Sequence, residues 1–185
     1  MCKLSQWDEA HIRDMTLAEL VLTCAPLIHP VTMHAVVQHE SGGNYLALHD
    51  NTTGQTYKPA SLSEGKTVAN QLVAQGHSVD IGFAQINSKN LPKLGVSVDQ
   101  VMDPCTNLWA AQTILLSAWR QSQGNLPQML SIYNTGRSNS VVGMRYAASV
   151  YARAGAVSSK QKVLSAEDPR SSPLKPKSFA AQAQK

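Results

Sequence analysis

Glu40 sits where a carboxylic acid can be tuned to move protons. Pro30 opens a helix at its first position, and Met33, Val36 and Val37 recur at offsets that place them on one face with Glu40. An acid on that apolar face points inward. Ser41-Gly42-Gly43 ends the helix straight after it, with glycine available for a left-handed turn. Burial disfavours the charged carboxylate and so does the negative end of the helix dipole, so both raise its pKa. A carboxyl group that stays protonated near neutral pH serves as a general acid. The alternative for the same residues is a solvated glutamate on a fraying last turn.

Two other segments carry polar groups suited to binding. Gly82-Phe83-Ala84-Gln85-Ile86-Asn87 sets the amides of Gln85 and Asn87 beside a glycine, a surface able to hydrogen-bond sugar hydroxyls or an acetamido group while the backbone passes close. A tight turn before a helix is the other reading. Ile132-Tyr133-Asn134-Thr135-Gly136 places an aromatic ring and an amide at a helix end, where Tyr133 can stack or orient and Asn134 can cap. Metal chemistry is not expected. His39-Glu40 begins like a zinc-protease helix, but Gly43 stands where the second histidine is due, and His29, His34 and His49 follow no ligand spacing. No glycine cluster runs into Lys-Ser or Lys-Thr, so a phosphate loop is absent and no cofactor is expected.

The elements that must hold these residues read as mainly helical. Thr16-Leu17-Ala18-Glu19 has the spacing of a capping box and opens a helix ending before Pro26. After the Glu40 helix comes a Gly/Asn/Thr-rich stretch from Gly42 to Gly65, with a short strand expected at Tyr45-Leu46-Ala47-Leu48 and a turn from Asn51 to Gly54. Helices are expected from Thr67 to Gln75, from Asp103-Pro104 to Trp119, from Pro127 to Tyr133, and from Met144 to Ala154 with Gly155 as a stop. The fold class is α+β, mainly helical, with one small β excursion.

A chain of 185 residues that is 43% hydrophobic fits one domain with appendages. Its net charge of +4 is unevenly placed. Residues 1–155 carry ten Lys/Arg and ten Asp/Glu, whereas residues 156–185 carry six and two, in a Ser/Pro/Lys/Gln-rich setting that reads as a disordered basic tail. Without aromatics among those basic residues, nucleic-acid binding is set aside. No run approaches the roughly 20 apolar residues of a transmembrane segment. The start, with Trp7-Asp8-Glu9, does not read as a signal peptide. Of three cysteines, Cys24 ends one expected helix and Cys105 begins another, and they are either bridged or two buried thiols.

Taken in order, these segments resemble the lytic transglycosylases, a lysozyme-like family that cleaves peptidoglycan. Its pattern of Glu-Ser, then Gly-Leu-Met-Gln-Ile, then Ala-Tyr-Asn-x-Gly, then a Tyr and a Val on the last helix is matched by Glu40-Ser41, Gly82 to Ile86, Ser131 to Gly136, and Tyr146 with Val150. Phe83-Ala84 replaces the usual Leu-Met, and Ile132 a small residue. The chain is most similar to the branch that accompanies type IV secretion and conjugation machines, through Cys24-Ala25-Pro26, Gln85 to Ser88, and Asp103 to Leu108.

The resemblance implies a lysozyme-like catalytic domain over residues 16–155, between an N-terminal extension (1–15) and the tail (156–185). It implies Glu40 as the catalytic acid, with Ser41, Gln85, Ile86, Asn87, Tyr133, Asn134 and Tyr146 orienting it or the glycan. The Cys24–Cys105 bridge is favoured by the oxidising surroundings of that branch. Peptidoglycan glycan strands become the expected substrate, secretion components the expected partners, and the periplasm or cell envelope the expected place of action. Two rivals stand beside this reading: a muramidase with Asp50 or Asp80 as second carboxylate, and a non-catalytic glycan-binding assembly protein.

Overall fold

The computed structural model describes residues 15–166. Residues 1–14, most of the expected N-terminal extension, and the tail from 167 onward lie outside the described residues. The chain begins with α1 (Leu17–Cys24), whose capping box is complete: Thr16 Oγ1 accepts from the Glu19 N–H, and Glu19 Oε2 accepts from the Thr16 N–H at 2.8 Å. Next comes α2 (Pro30–Glu40), with Pro30 at its first position and Met33, Ala35, Val36 and Val37 fully buried. Each large apolar side chain buried this way contributes about 1.5–3 kcal/mol. The face that carries Glu40 is therefore the one α2 presses into the core.

The β excursion follows as four short strands: β1 (Leu48–Asp50), β2 (Gln55–Tyr57), β3 (Val79–Ile81) and β4 (Ile86–Asn87). They form one antiparallel sheet in the order β2-β1-β3-β4. Pairing places Leu48 opposite Ile81 and Ile81 opposite Ile86, a buried row against the core. The alternate row, Thr56, His49, Asp80 and Asn87, then projects from the other face. Register alone sets Asp80 beside Asn87.

The expected strand at Tyr45 to Leu48 is displaced. Asn44 folds the chain into a turn first, its Oδ1 accepting from the Leu46 N–H and its carbonyl from the Ala47 N–H, so pairing starts only at Leu48. Asn51 to Gly54 is the turn expected there, with Gly54 at φ +77°.

Helix α3 spans Leu62–Ala74 rather than starting at Thr67. Ser61 caps it by accepting from the Glu64 N–H, and Gly65, which resembles a breaker, is a contact point: a Cβ there would stand 2.6 Å from Met102 Cε. A 3-10 turn (Ser88–Asn90) and two single-turn helices, α4 (Leu91–Leu94) and α5 (Val98–Val101), lead to α6 (Pro104–Gln121), capped by Asp103. The last pair are α7 (Leu126–Thr135), ending in Gly136 at φ +72°, and α8 (Val141–Ala166). Gly155 does not stop α8. A helical glycine costs only about 1 kcal/mol, and its Ala-rich neighbours absorb that. The expected tail is thus helical as far as Ala166.

Helix α8 packs on α2 and α7, and α1 packs on α6. Cys24 at the end of α1 and Cys105 at the start of α6 form a disulfide across a sequence separation of 81. No helix among the described residues is long and apolar enough to cross a membrane.

Candidate active site

The end of α2 brings Glu40 to the rim of a cleft of about 450 Å³, within the range of small-ligand sites. Behind it, from α8, the buried Tyr146 hydroxyl donates to Glu40 Oε1 at 2.6 Å. Burial pushes the Glu40 carboxyl up to about 7; the Tyr146 hydrogen bond lowers it somewhat, and the negative charge of Asp80 raises it. Near neutral pH the group is therefore able both to hold and to release a proton. Tyr146 and Tyr133 are themselves driven well above the ordinary phenol range, first by burial and then by the Glu40 charge, so both remain hydrogen-bond donors.

The side chain behind Tyr146 is also fixed. His39 packs against its ring in a T-shaped pair at a centroid distance of 4.8 Å, and Arg153 Nε donates to His39 Nδ1 at 3.3 Å. Burial and the nearby Arg153 charge lower the His39 pKa, which keeps it a neutral acceptor. Neither His39 nor Arg153 was expected as a support for Glu40. Their positions adjoin Glu40 in sequence and lie on the helix of Tyr146, which is the signal that could have found them.

The opposite wall is the turn from Gly82 to Gln85 between β3 and β4. Asn107 of α6 organises it: its Nδ2 donates to the Ile81 and Val101 carbonyls at 2.8 and 3.0 Å, and its Oδ1 accepts from the Ala84 N–H at 2.9 Å. Gly82, at φ +77°, lies so close that a Cβ would meet Asn107 Nδ2 at 2.5 Å. Gln85 is held at φ +47°, a left-handed value rare outside glycine, while its Nε2 donates to the Gly82 and Ala47 carbonyls. Its amide oxygen is what remains for a ligand. From α7, the Tyr133 hydroxyl donates to the Ala84 carbonyl at 2.8 Å, tying the turn to the helix, and its ring stacks with Tyr146 at 6.3 Å.

Glu40, Gln85, Ile86, Asn87, Tyr133 and Asn134 all line this cleft. Asn87 bonds Asp80 Oδ1 through its Nδ2 at 2.7 Å. Two named residues do not line it. Ser41 turns its hydroxyl back to the Val37 carbonyl at 3.3 Å, satisfying the helix end, and Tyr146 stands behind Glu40 instead of in the cleft. Asn51, Asn90 and Ile114 line the cleft without having been singled out as site residues: Asn51 lies in the β1–β2 turn and Asn90 in the 3-10 turn, where periodicity marks nothing, and Ile114 belongs to the apolar stripe of α6, which periodicity reads as core.

Of the two carboxylates considered as partners for Glu40, Asp80 lines the cleft and Asp50 does not. Asp50 is buried. Burial alone would raise its pKa, but hydrogen bonds from the Thr53 hydroxyl, the Thr52 N–H and His77 outweigh that and hold it at about 2. It is a structural anion that closes the β1–β2 turn. Among the described residues, no group of three or more His, Cys, Asp or Glu is placed to hold a metal ion.

Residues 21–154 match the family described as Transglycosylase SLT domain. The chain is 38% identical over 119 residues to Protein virB1 of Agrobacterium fabrum (strain C58 / ATCC 33970), an alignment covering 61% of this chain and 49% of that protein. It is 36% identical over 163 residues to the type IV secretion system protein virB1 of Brucella abortus biovar 1 (strain 9-941), covering 84% of this chain and 65% of that protein. A third relative, Protein virB1 of Rhizobium radiobacter, is 35% identical over 119 residues, covering 61% of this chain and 50% of that protein. The chain thus spans about half to two thirds of the length of these relatives. No solved structure matches it. Every residue placed around the cleft falls inside the matched segment, and the chain belongs to the transglycosylase SLT domain family.

Proposed function

We propose that the chain is a peptidoglycan lytic transglycosylase whose catalytic unit is residues 16–155 and whose acid and base are both Glu40. The observation that carries this is a carboxyl group with a pKa of about 7, bonded by Tyr146 and opening into a cleft walled by amide side chains. In the first step Glu40 protonates the glycosidic oxygen between N-acetylmuramic acid and N-acetylglucosamine, and the C–O bond breaks. The acetamido group of the muramic sugar stabilises the charge that develops at its anomeric carbon. The 6-hydroxyl of the same sugar then attacks that carbon and gives its proton to the Glu40 carboxylate. A 1,6-anhydromuramic end forms, no water is added, and Glu40 regains its acid form. Positioned proton transfer of this kind contributes about a hundred- to ten-thousand-fold in rate.

Gln85, Ile86, Asn87 and Asn134 support glycan binding by lining the cleft, and Tyr133 by bracing its wall. Ser41, from its position at the helix end, supports Glu40 only through the backbone.

Asp80 sustains a second reading. It shares the cleft with Glu40, as the second carboxylate of a water-using muramidase would. Digestion of purified sacculi by the intact protein and by Glu40→Gln, with mass spectrometry of the released muropeptides, tests both. Anhydro ends released by the intact protein and lost with Glu40→Gln are the expected result. Reducing ends would assign a hydrolase, full activity of Glu40→Gln would remove Glu40 from the catalytic role, and no release by the intact protein would leave a non-catalytic glycan-binding protein.

The name of the Brucella relative, type IV secretion system protein virB1, supports a role in opening the wall locally for such an apparatus, with action in the periplasm.

A further inference from the structure

The link between α7 and α8 is a fixed rim. The Ser131 hydroxyl donates to the Arg137 carbonyl at 2.6 Å, and the Arg137 N–H donates to Thr135 Oγ1 at 3.2 Å. The Ser140 hydroxyl bonds Thr135 Oγ1 at 3.0 Å and accepts from the Gly143 N–H at 2.9 Å. Gly143 brings α8 so near α7 that any Cβ there would collide with the Ser131 hydroxyl. The backbone that carries Arg137 is thereby held in place before any ligand arrives.

This rim frames a second basin of about 570 Å³, adjacent to the Glu40 cleft, with Ile132 and Gly136 bordering both. The two compartments differ in charge. The cleft holds the carboxyl groups of Glu40 and Asp80, whereas the basin holds Arg137, whose guanidinium meets no carboxylate among the described residues. Beside it, Asn139 Oδ1 accepts from Gln128 Nε2 at 3.2 Å, which leaves the Asn139 NH2 group available to donate. A guanidinium fork with an amide donor nearby matches a carboxylate in charge and in plane.

We propose that this basin binds a carboxylate of the peptide stem that a glycan strand carries, with Arg137 as the charged contact and Asn139 as a neutral donor. The proposal rests on the reading of the cleft as a glycan site and adds what selects the strand. A peptide-bearing sugar seated next to Glu40 can extend its stem over Ile132 and Gly136 into the basin. The carboxylate then exchanges hydration for a charge-assisted hydrogen bond.

Calorimetric binding to the full chain carrying Glu40→Gln, which prevents turnover, tests this with two probes. One is soluble glycan fragments with their peptide stems; the other is the same strands after amidase removal of the stems, which leaves the lactyl carboxylate on the sugar. Arg137→Gln is expected to weaken Kd for the peptide-bearing fragments about tenfold and to leave the stripped strands unaffected, with Arg137→Lys intermediate. Equal weakening for both probes would transfer the contact to the glycan itself, which both carry, and overturn the proposal. So would no weakening for either, or no binding of peptide-bearing fragments at all. Arg137-dependent binding of stems would stand even if the Glu40 form cleaved nothing, a result that contradicts the activity proposed above and not this basin.

Discussion

At the scale of single residues, Glu40 is balanced between opposing influences. Burial and the Asp80 charge favour its protonated form, while the Tyr146 hydrogen bond favours the carboxylate. Tyr146→Phe removes the opposing influence, so the Glu40 pKa should rise further and the alkaline limb of the kcat/KM profile should move above pH 7, with turnover falling about tenfold. A limb that stays put would separate Tyr146 from Glu40. The same burial makes Glu40 a stability liability at high pH. Its pKa is about 7 in the fold, against 4.5 for an unperturbed glutamate. Below pH 4.5 both the folded and unfolded chains hold the proton, and nothing is lost. Between 4.5 and 7 the unfolded chain gives up its proton first, stability declines, and above 7 the full cost of about 3 kcal/mol applies. Glu40→Gln, which retains an acceptor for Tyr146, should therefore be more stable than the parent by about 2–3 kcal/mol at pH 8 and equally stable at pH 4, as measured by urea unfolding at the two pH values.

Among elements, the turn from Gly82 to Gln85 depends on one side chain from a helix distant in sequence. Asn107→Ala would leave the Ile81 and Val101 carbonyls and the Ala84 N–H without that partner in a buried place, at a cost of about 3 kcal/mol. Gly82→Ala should reach a similar loss through the clash with Asn107 and its left-handed backbone. Both should depress cleavage more than Gly76→Ala, a positive-φ glycine with open space around it; equal effects would mean that the turn does not shape the cleft.

The sequence made one half of this site legible and hid the other. Glu40 announced itself because Pro30, the apolar period and Gly42-Gly43 all encode a helix locally, and Gln85, Tyr133 and Asn134 followed from short motifs. Asn107 was visible only as part of a longer motif, since its work is a contact made at a distance of many residues. Gly65 and Gly155 read as punctuation because periodicity cannot tell a glycine chosen for close packing, or simply tolerated, from one chosen for a turn. Strands β3 and β4 are too short to alternate visibly; only the pairing of β3 with β1 and of β4 with β3 defines them.

For the molecule as a whole, the Cys24–Cys105 disulfide ties α1, the element before the Glu40 helix, to the start of α6, which supplies Asn107. Opening a bridge that closes so long a loop should cost about 4 kcal/mol in unfolding free energy, or roughly 10 °C in Tm. Cys105→Ser should show that loss by thermal denaturation under oxidising conditions, and the same difference should vanish when both proteins are fully reduced. If the parent and the variant melt together while oxidised, the bridge is not a stabilising element.

The most direct test is the titration of the Glu40 carboxyl carbon by NMR in the 13C-labelled full chain, assigned by its absence in Glu40→Gln. A midpoint near 7 is expected from burial and the Asp80 charge acting against the Tyr146 hydrogen bond. A midpoint near 4.5 would make Glu40 an ordinary solvated carboxylate, with no proton to give at neutral pH.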